Sequence, residues 1–92
     1  MILTFKCRDT EALFNGRRVP RFANIAAAAL RKLAILNRAE RLDDLRVPPG
    51  NRLEALSGDR SGQWSIRVNE QWRVCFCFEG GQVHAVEIVD YH

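Results

Sequence analysis

The sequence has few of the features that mark membrane and secreted proteins. No run of apolar residues approaches the roughly 20 that a membrane-spanning helix needs. The opening stretch, MILTFKCRDTEALF, contains neither a basic segment nor a long apolar segment, so it does not predict a secretory signal peptide. We therefore expect a cytoplasmic protein that does not associate with a membrane.

Cysteine is also scarce. The three cysteines, Cys7, Cys75 and Cys77, are an odd number and contain no CxxC spacing. Cys75 and Cys77 would share one face of a strand, which by itself suits neither a disulfide nor a zinc site. We expect buried or half-buried free thiols, and we predict no metal site and no cofactor.

Lysine is nearly absent although the chain is basic. The 14 basic residues include only two lysines, Lys6 and Lys32, so the other twelve are arginines, and the net charge is +3 with a pI of about 9.1. Arginine is favoured for phosphate and nucleic-acid contacts because its planar fork binds phosphate through two parallel hydrogen bonds. It is also common in GC-rich genomes, so the composition permits RNA binding without requiring it.

The length and the overall composition predict one small domain. Ninety-two residues can bury a single core without metal or disulfide, and we assign residues 1–92 to one domain. The apolar fraction of 47% and the charged fraction of 27% are ordinary for globular proteins.

The stretch GDRSGQWSIRVNEQWRVCFCF at residues 58–78 predicts a β-hairpin. Its apolar residues alternate with polar ones in two runs: Trp64, Ile66 and Val68, then Trp72, Val74, Phe76 and Phe78. Such alternation is typical of strands with one buried face. The polar break Asn69-Glu70-Gln71 has the length of a hairpin loop.

A three-residue loop fixes the register of this hairpin. Val68 then faces Trp72 and Ile66 faces Val74, which places Arg67 opposite Arg73 on the other, solvent-facing side. Like charges directly opposite each other repel, and an anion such as phosphate between them would relieve the repulsion. Two arginines extended into water, with no ligand, are the alternative.

The remaining patterns predict an α+β fold. Two N-terminal helices pack on one face of a mainly antiparallel twisted sheet in the order β-α-α-β-β-β-β. The helix stripe contains Phe22, Ile25, Ala29, Leu33 and Leu36. Besides the hairpin, the predicted elements are an edge strand at 2–5, a short helix capped by Asp9 or Thr10 and running through Phe14, and a second helix from Pro20 to about Leu36. A helical turn at 40–46, an irregular segment at 48–51, and strands at 52–56 and 83–89 complete the prediction.

Five segments together resemble the HigB toxins of the RelE superfamily. They are Pro49-Gly50-Asn51-Arg52-Leu53-Glu54, Leu56-x-Gly58-Asp59-Arg60-x-Gly62, residues 64–69 (WSIRVN), Gln71-Trp72-Arg73 and Asp90-Tyr91-His92. The resemblance implies the toxin of a type II toxin–antitoxin system, a ribosome-dependent endoribonuclease that cuts mRNA in the A site and so inhibits translation. It also implies a HigA-like helix-turn-helix antitoxin, through which alone the toxin would contact operator DNA.

The same resemblance implies the site residues. Arg73 would neutralise the phosphate, with Arg67 beside it, while Asp90 and His92 would handle protons and Tyr91 would contact a base or ribose. Glu54 stands where better-known members often have histidine, and as a carboxylate it is a candidate base. Arg52 and Arg60 are further candidates for RNA binding. Cleavage would proceed by 2′-OH attack without a metal ion.

Two other functions are compatible with these residues. A toxin related to the ParE proteins would share the fold but inhibit DNA gyrase, and a catalytically inactive module would bind RNA or the ribosome without cutting. The terminal Asp90-Tyr91-His92 and the Arg67/Arg73 pair favour the nuclease, because a gyrase inhibitor needs no such groups. We expect the antitoxin to contact the basic surface around Arg17, Arg18 and Arg21, or the hairpin face.

Overall fold

The computed structural model describes residues 1–90 and confirms the α+β class. Within that range no helix is both long and apolar enough to span a bilayer. The elements are helices α1 (Arg8–Phe14) and α2 (Ala26–Arg38), strands β1 (Glu54–Ala55), β2 (Trp64–Arg67), β3 (Trp72–Glu79) and β4 (Gln82–Asp90), and short 3-10 turns at Pro20–Phe22, Leu42–Arg46, Pro49–Asn51 and Gly58–Arg60. The predicted cap of α1 is wrong, because Asp9 and Thr10 lie inside the helix and Cys7 is the capping residue.

The four strands form one antiparallel sheet in the order β1-β2-β3-β4. The predicted hairpin register is confirmed, with Ile66 opposite Val74 and Trp64 opposite Phe76. The side-chain Oδ1 of Asn69 accepts hydrogen bonds from the backbone N–H groups of Gln71 and Trp72, both at 2.8 Å, which closes the loop.

The prediction of a continuous N-terminal edge strand at residues 2–5 is wrong. Only two isolated parallel bridges form, Ile2 with Val83 and Phe5 with Val86. Between those bridges β4 carries an irregularity at Ala85, whose φ is +54°. The N–H of Ala85 therefore bonds to the side-chain hydroxyl of Thr4, at 2.8 Å, and the ladder is interrupted there.

The second predicted helix begins later than expected. Pro20–Phe22 forms a separate 3-10 turn, and α2 starts only at Ala26 because the backbone of Ile25 is not helical, with φ −119° and ψ 3°. The predicted stripe is nevertheless buried at every position. The N–H of Ile25 bonds to the carbonyl of Phe22, three residues earlier, at 3.0 Å, and both side chains face the core.

The helices cover one face of the sheet, where the core lies. The stripe of α2 packs against β2, β3 and β4 through Ile66, Val74, Phe76, Val83, Val86 and Ile88. Both tryptophans of the hairpin pack against this core, as expected, although each remains partly exposed. The ring of Trp72 meets the ring of Phe22 edge-on, with centroids 5.5 Å apart.

The segment before β1 is more ordered than the sequence predicts. Instead of an irregular stretch, Pro49–Asn51 forms a 3-10 turn, and the strand that follows it is shortened to Glu54–Ala55. The amide of Asn51 is fully buried and donates to the carbonyl oxygens of Leu45 and Val47, both at 3.2 Å, while its Oδ1 accepts from the ammonium of Lys32. This amide connects the turn to two earlier segments of the chain.

Candidate active site

The face of the sheet away from the helices carries the polar side chains that the sequence singles out. Arg67 and Arg73 are directly opposite each other on β2 and β3, which confirms the predicted pair. In the neighbouring row, Ser65 lies between Glu54 on β1 and Cys75 on β3. This face is therefore built from guanidiniums, carboxylates and a hydroxyl.

The expected exposure of Arg73 is wrong. Only 8% of the residue is accessible, and its guanidinium is held on more than one side. Nε donates to the hydroxyl of Ser65 at 2.8 Å, and Nη2 donates to the backbone carbonyl of Arg52 at 2.7 Å. Strand alternation correctly places Arg73 on the face of the sheet away from the helices. The turn before β1 covers that face at Arg73 and buries the side chain.

Glu54 approaches Arg73 from the edge strand. Its Oε1 lies 3.8 Å from Nη1 of Arg73, and about half of its side chain, 53%, is exposed. An exposed carboxylate at this position is accessible to a substrate, from which it can accept a hydrogen bond or a proton. The structure therefore brings together two of the predicted catalytic residues.

A cleft of about 370 Å³ opens beside this pair. It is lined by Arg52, Arg67, Asn69, Glu70 and Arg73. Arg52 is exposed and Arg67 is half-buried, so both guanidiniums are accessible to a ligand in the cleft. Three arginines against one carboxylate give the lining a positive charge that suits an anion such as a phosphate diester. We refer to this cleft as the arginine cleft.

Arg60, the other predicted RNA-binding residue, lies away from the lining of the arginine cleft. Its guanidinium is within 3.2 Å of a carboxylate oxygen of Glu87, to which it is ion-paired, and it also bonds to the side chain of Gln63 at 3.2 Å. Glu87 is opposite Cys75 on β3. The thiol of Cys75 is buried, and burial raises the pKa of this thiol. Arg60 thus neutralises a half-buried carboxylate at the far side of the same face.

Asp90 is not brought together with Arg73. On β4, Val89 is opposite Arg73, and Asp90 is opposite Trp72, which belongs to the helix-facing side of the sheet. The carboxylate of Asp90 accepts a hydrogen bond from the side chain of Gln71 at 3.0 Å. Its catalytic role stays a prediction. Tyr91 and His92, the other terminal candidates, lie outside the described residues.

Four residues of the site were missed by sequence reasoning as functional candidates. Asn69 and Glu70 were interpreted only as loop residues, although both line the arginine cleft. Ser65 could have been found, since it is a small polar residue two positions before Arg67 on the same strand face. Nothing in the sequence distinguishes the buried amide of Asn51 from an ordinary turn asparagine.

The three cysteines are free thiols, as expected. Cys75 is buried, and Cys7 and Cys77 are partly buried. Within residues 1–90 no three histidine, cysteine, aspartate or glutamate side chains cluster as metal ligands would.

Comparison with known proteins agrees with the resemblance that the motifs indicate. Residues 14–92 match the family described as "HigB-like toxin: RelE-like toxin of type II toxin-antitoxin system HigB". Toxin HigB-1 of Vibrio cholerae serotype O1 is 42% identical over 83 residues, covering 88% of this chain and 87% of that protein. The protein named Endoribonuclease HigB from Proteus vulgaris is 44% identical over 41 residues, covering 45% of each chain.

Solved structures with low identity share the fold. A chain of the heterotetrameric YoeB-YefM toxin-antitoxin complex from Staphylococcus aureus has a TM-score of 0.62 at 15% identity, covering 100% of this chain and 98% of that one. The YoeB/ParE toxin from Agrobacterium tumefaciens has a TM-score of 0.58 at 17% identity and covers 99% and 98%. Because the family match spans residues 14–92 and a HigB relative is 42% identical over most of both chains, the chain belongs to the HigB-like toxins, the RelE-like toxins of type II toxin–antitoxin systems.

Proposed function

We propose that this chain is an endoribonuclease that cuts mRNA in the ribosomal A site by attack of a ribose 2′-OH, without a metal ion. The observation that carries the proposal is the arginine cleft, where Arg52, Arg67 and Arg73 surround a space of about 370 Å³ next to the carboxylate of Glu54. The name of the Proteus vulgaris relative, Endoribonuclease HigB, supports the same reaction class.

The reaction requires three changes, and the cleft residues suit them. The 2′-hydroxyl must lose a proton, the negative charge of the phosphorane must be stabilised, and the leaving 5′-oxygen must gain a proton. The products are a 2′,3′-cyclic phosphate and a 5′-hydroxyl. The side chains of Arg67 and Arg52 would contact the phosphate oxygens, since both are accessible in the cleft.

Glu54 would take the proton from the 2′-hydroxyl. Its carboxylate is exposed and lies 3.8 Å from the guanidinium of Arg73, which keeps positive charge beside it throughout the reaction. His92 would protonate the 5′-oxygen, because imidazole titrates near neutrality, while Asp90 would support it and Tyr91 would contact a base or the ribose.

The ribosome would supply the geometry that the cleft alone does not impose. In-line attack requires the 2′-oxygen, the phosphorus and the 5′-oxygen to be aligned, and a free single strand seldom holds that alignment. The cleft is lined by Asn69 and Glu70 of the β2–β3 loop and by the exposed Arg52, so a strand fixed in the A site can enter it from outside. Cleavage should therefore depend on ribosomes.

Purified ribosomes carrying a defined mRNA test this proposal and separate it from its alternatives. We expect cleavage within the A-site codon, a 2′,3′-cyclic phosphate detected by mass spectrometry, and no cleavage when that nucleotide is 2′-deoxy. Products ending in a 3′-hydroxyl would contradict 2′-OH attack. Binding to ribosomes without cleavage would indicate an inactive module, and loss of DNA supercoiling in a gyrase assay would indicate the ParE-like activity.

We also propose a HigA-like helix-turn-helix antitoxin as the partner, through which alone the toxin would contact operator DNA. The YoeB-YefM complexes show that proteins of this fold occur with antitoxins. A groove of about 400 Å³ between α1 and α2 contains Arg17 and Arg18 above an apolar floor, which suits an acidic amphipathic segment. Arg21 is instead paired with Asp9 at 2.9 Å and lies over the ring of Phe22.

Alanine variants test this docking surface. Replacing Arg17 and Arg18 should weaken antitoxin binding at least tenfold at moderate ionic strength, while replacing Arg31, on the exposed surface of α2, should not. Unchanged affinity in the double variant would contradict this docking surface and would indicate that the antitoxin contacts the hairpin face.

A further inference from the structure

Ser65 occupies the centre of the polar sheet face and is fully buried. It is opposite Glu54 on one side and Cys75 on the other. Its hydroxyl accepts the hydrogen bond from Nε of Arg73 at 2.8 Å. Because Nε is the nitrogen nearest the aliphatic stem, this bond fixes the rotation of the guanidinium plane.

A second contact holds the other end of the same guanidinium. Nη2 of Arg73 donates to the carbonyl oxygen of Arg52 at 2.7 Å. Arg52 is in the left-handed conformation, with φ 46° and ψ 58°, at the end of the 3-10 turn Pro49–Asn51. This unusual conformation, which only a minority of non-glycine residues adopt, brings its carbonyl to the sheet face.

The buried amide of Asn51 stabilises that turn. It bonds to the carbonyls of Leu45 and Val47 and to the ammonium of Lys32 on α2, so the turn is joined to the helical layer. Burial lowers the pKa of Lys32, with a smaller contribution from Arg31. The acceptor for Nη2 is therefore part of a connected buried network rather than of a mobile loop.

We propose that Ser65 and Asn51 are positioning residues that aim the guanidinium of Arg73 at the scissile phosphate and at Glu54. This inference rests on the proposed ribonuclease function. With Nε held by Ser65 and Nη2 held by the turn, Nη1 is the nitrogen nearest the carboxylate of Glu54. Arg73 is thus oriented before the substrate arrives, and no reorganisation is needed during the reaction.

The test compares Ser65→Ala with Ser65→Thr, which retains a hydroxyl, and with Ser61→Ala, an exposed serine in the same region, as the matched control. On ribosome-bound mRNA, Ser65→Ala should lower kcat by roughly tenfold to a hundredfold with little change in KM, because misorientation affects the transition state more than binding. Ser65→Thr should recover most of this loss, and Ser61→Ala should match the wild type.

Nuclear magnetic resonance of the arginine side chains tests whether Ser65 and Asn51 hold the guanidinium of Arg73, and it does not depend on RNA cleavage. The Nε–H of Arg73 should exchange slowly with solvent in the wild type and in Ser65→Thr, and at least tenfold faster in Ser65→Ala. Asn51→Ala should accelerate the exchange as well, through the turn. Far-UV circular dichroism and antitoxin affinity should show that each variant is folded.

Two outcomes would overturn the positioning role. One is a Ser65→Ala variant with wild-type exchange and wild-type kcat, and the other is an equal loss in the alanine and threonine variants, since the hydroxyl would then not be the cause. A wild-type protein that cuts no ribosome-bound mRNA would refute the proposed function, whereas the exchange measurement would still decide whether Ser65 and Asn51 hold Arg73.

Discussion

Arg67 and Arg73 face each other across β2 and β3, yet they occupy different environments. Arg73 is 8% accessible and bonded to Ser65 and to the backbone of Arg52, whereas Arg67 is half-buried at the wall of the arginine cleft. Repulsion between the two is reduced because Glu54 lies 3.8 Å from Arg73. One guanidinium of the pair is fixed, and the other is available to a ligand.

Replacing Arg73 by alanine should affect both cleavage and stability. Cleavage should fall by ~10²-fold or more, since a preorganised donor near the phosphate is lost. The hydroxyl of Ser65 and the carbonyl of Arg52 would also lose their partner, which should lower the free energy of unfolding by about 1–3 kcal/mol. Arg73→Lys should recover only part of the activity, because lysine lacks the fork. Wild-type turnover in Arg73→Ala would contradict a role for this guanidinium at the phosphate.

Replacing Arg67 by alanine should separate activity from stability. Its accessible side chain lines the cleft, so RNA cleavage should weaken tenfold or more. The free energy of unfolding should stay within about 0.5 kcal/mol of the wild type, since relief of the Arg67/Arg73 repulsion offsets lost packing. Arg31→Ala removes the same charge from α2 and is the control. Equal loss of cleavage in both variants would indicate an effect of net charge.

Replacing Arg52 by glycine should remove a guanidinium from the cleft and retain the acceptor for Arg73. Glycine adopts φ near +46° without strain, so the backbone carbonyl should keep its position. RNA binding and cleavage should weaken severalfold, with little change in melting temperature. Arg52→Val, which is strained at positive φ, should instead lower the melting temperature. A melting temperature equal to that of the wild type in Arg52→Val would show that the left-handed conformation is not required.

Deleting Tyr91 and His92 tests the proton-handling residues at the C-terminus. The truncated protein should melt near the wild-type temperature and bind the antitoxin, but it should not cut ribosome-bound mRNA. His92→Gln should behave in the same way, because glutamine forms hydrogen bonds but does not titrate near neutral pH. If the truncated protein cuts at the wild-type rate, the acid and the base must both be sought at Glu54 and its neighbours.

Asp44 should make the stability depend on pH in the acid range. Its Oδ2 accepts from the backbone N–H groups of Arg41 and Glu40, which lowers the pKa of the carboxyl below its ordinary value of 3.8. A lowered pKa stabilises the folded state above pH 3.8, and this contribution disappears as the pH falls through the folded-state pKa. Asp44→Asn should therefore unfold more easily near pH 6 than the wild type, and the difference should shrink only as the pH falls below 3.8. Asp59→Asn controls for the lost charge.

The sequence by itself predicted the parts of this protein that depend on local pattern. Alternation with period two located the hairpin, because successive strand residues face opposite sides, and the three-residue loop set its register, including the Arg67/Arg73 pair. The helical stripe from Phe22 to Leu36 identified the layer that covers the core. The motifs indicated the HigB toxins, and the family match confirms this.

Only the tertiary structure decided what covers each face of the sheet. Arg73 is buried because a turn 21 residues earlier in the chain supplies a carbonyl to it, and alternation cannot reveal so distant a contact. The same limit applies to the amide of Asn51, whose partners lie on two earlier segments of the chain. It applies also to Asp90, whose side of the sheet depends on the pairing of β4 with β3. Local pattern assigns a residue to a face, whereas burial and partners follow from contacts between segments that are far apart in sequence.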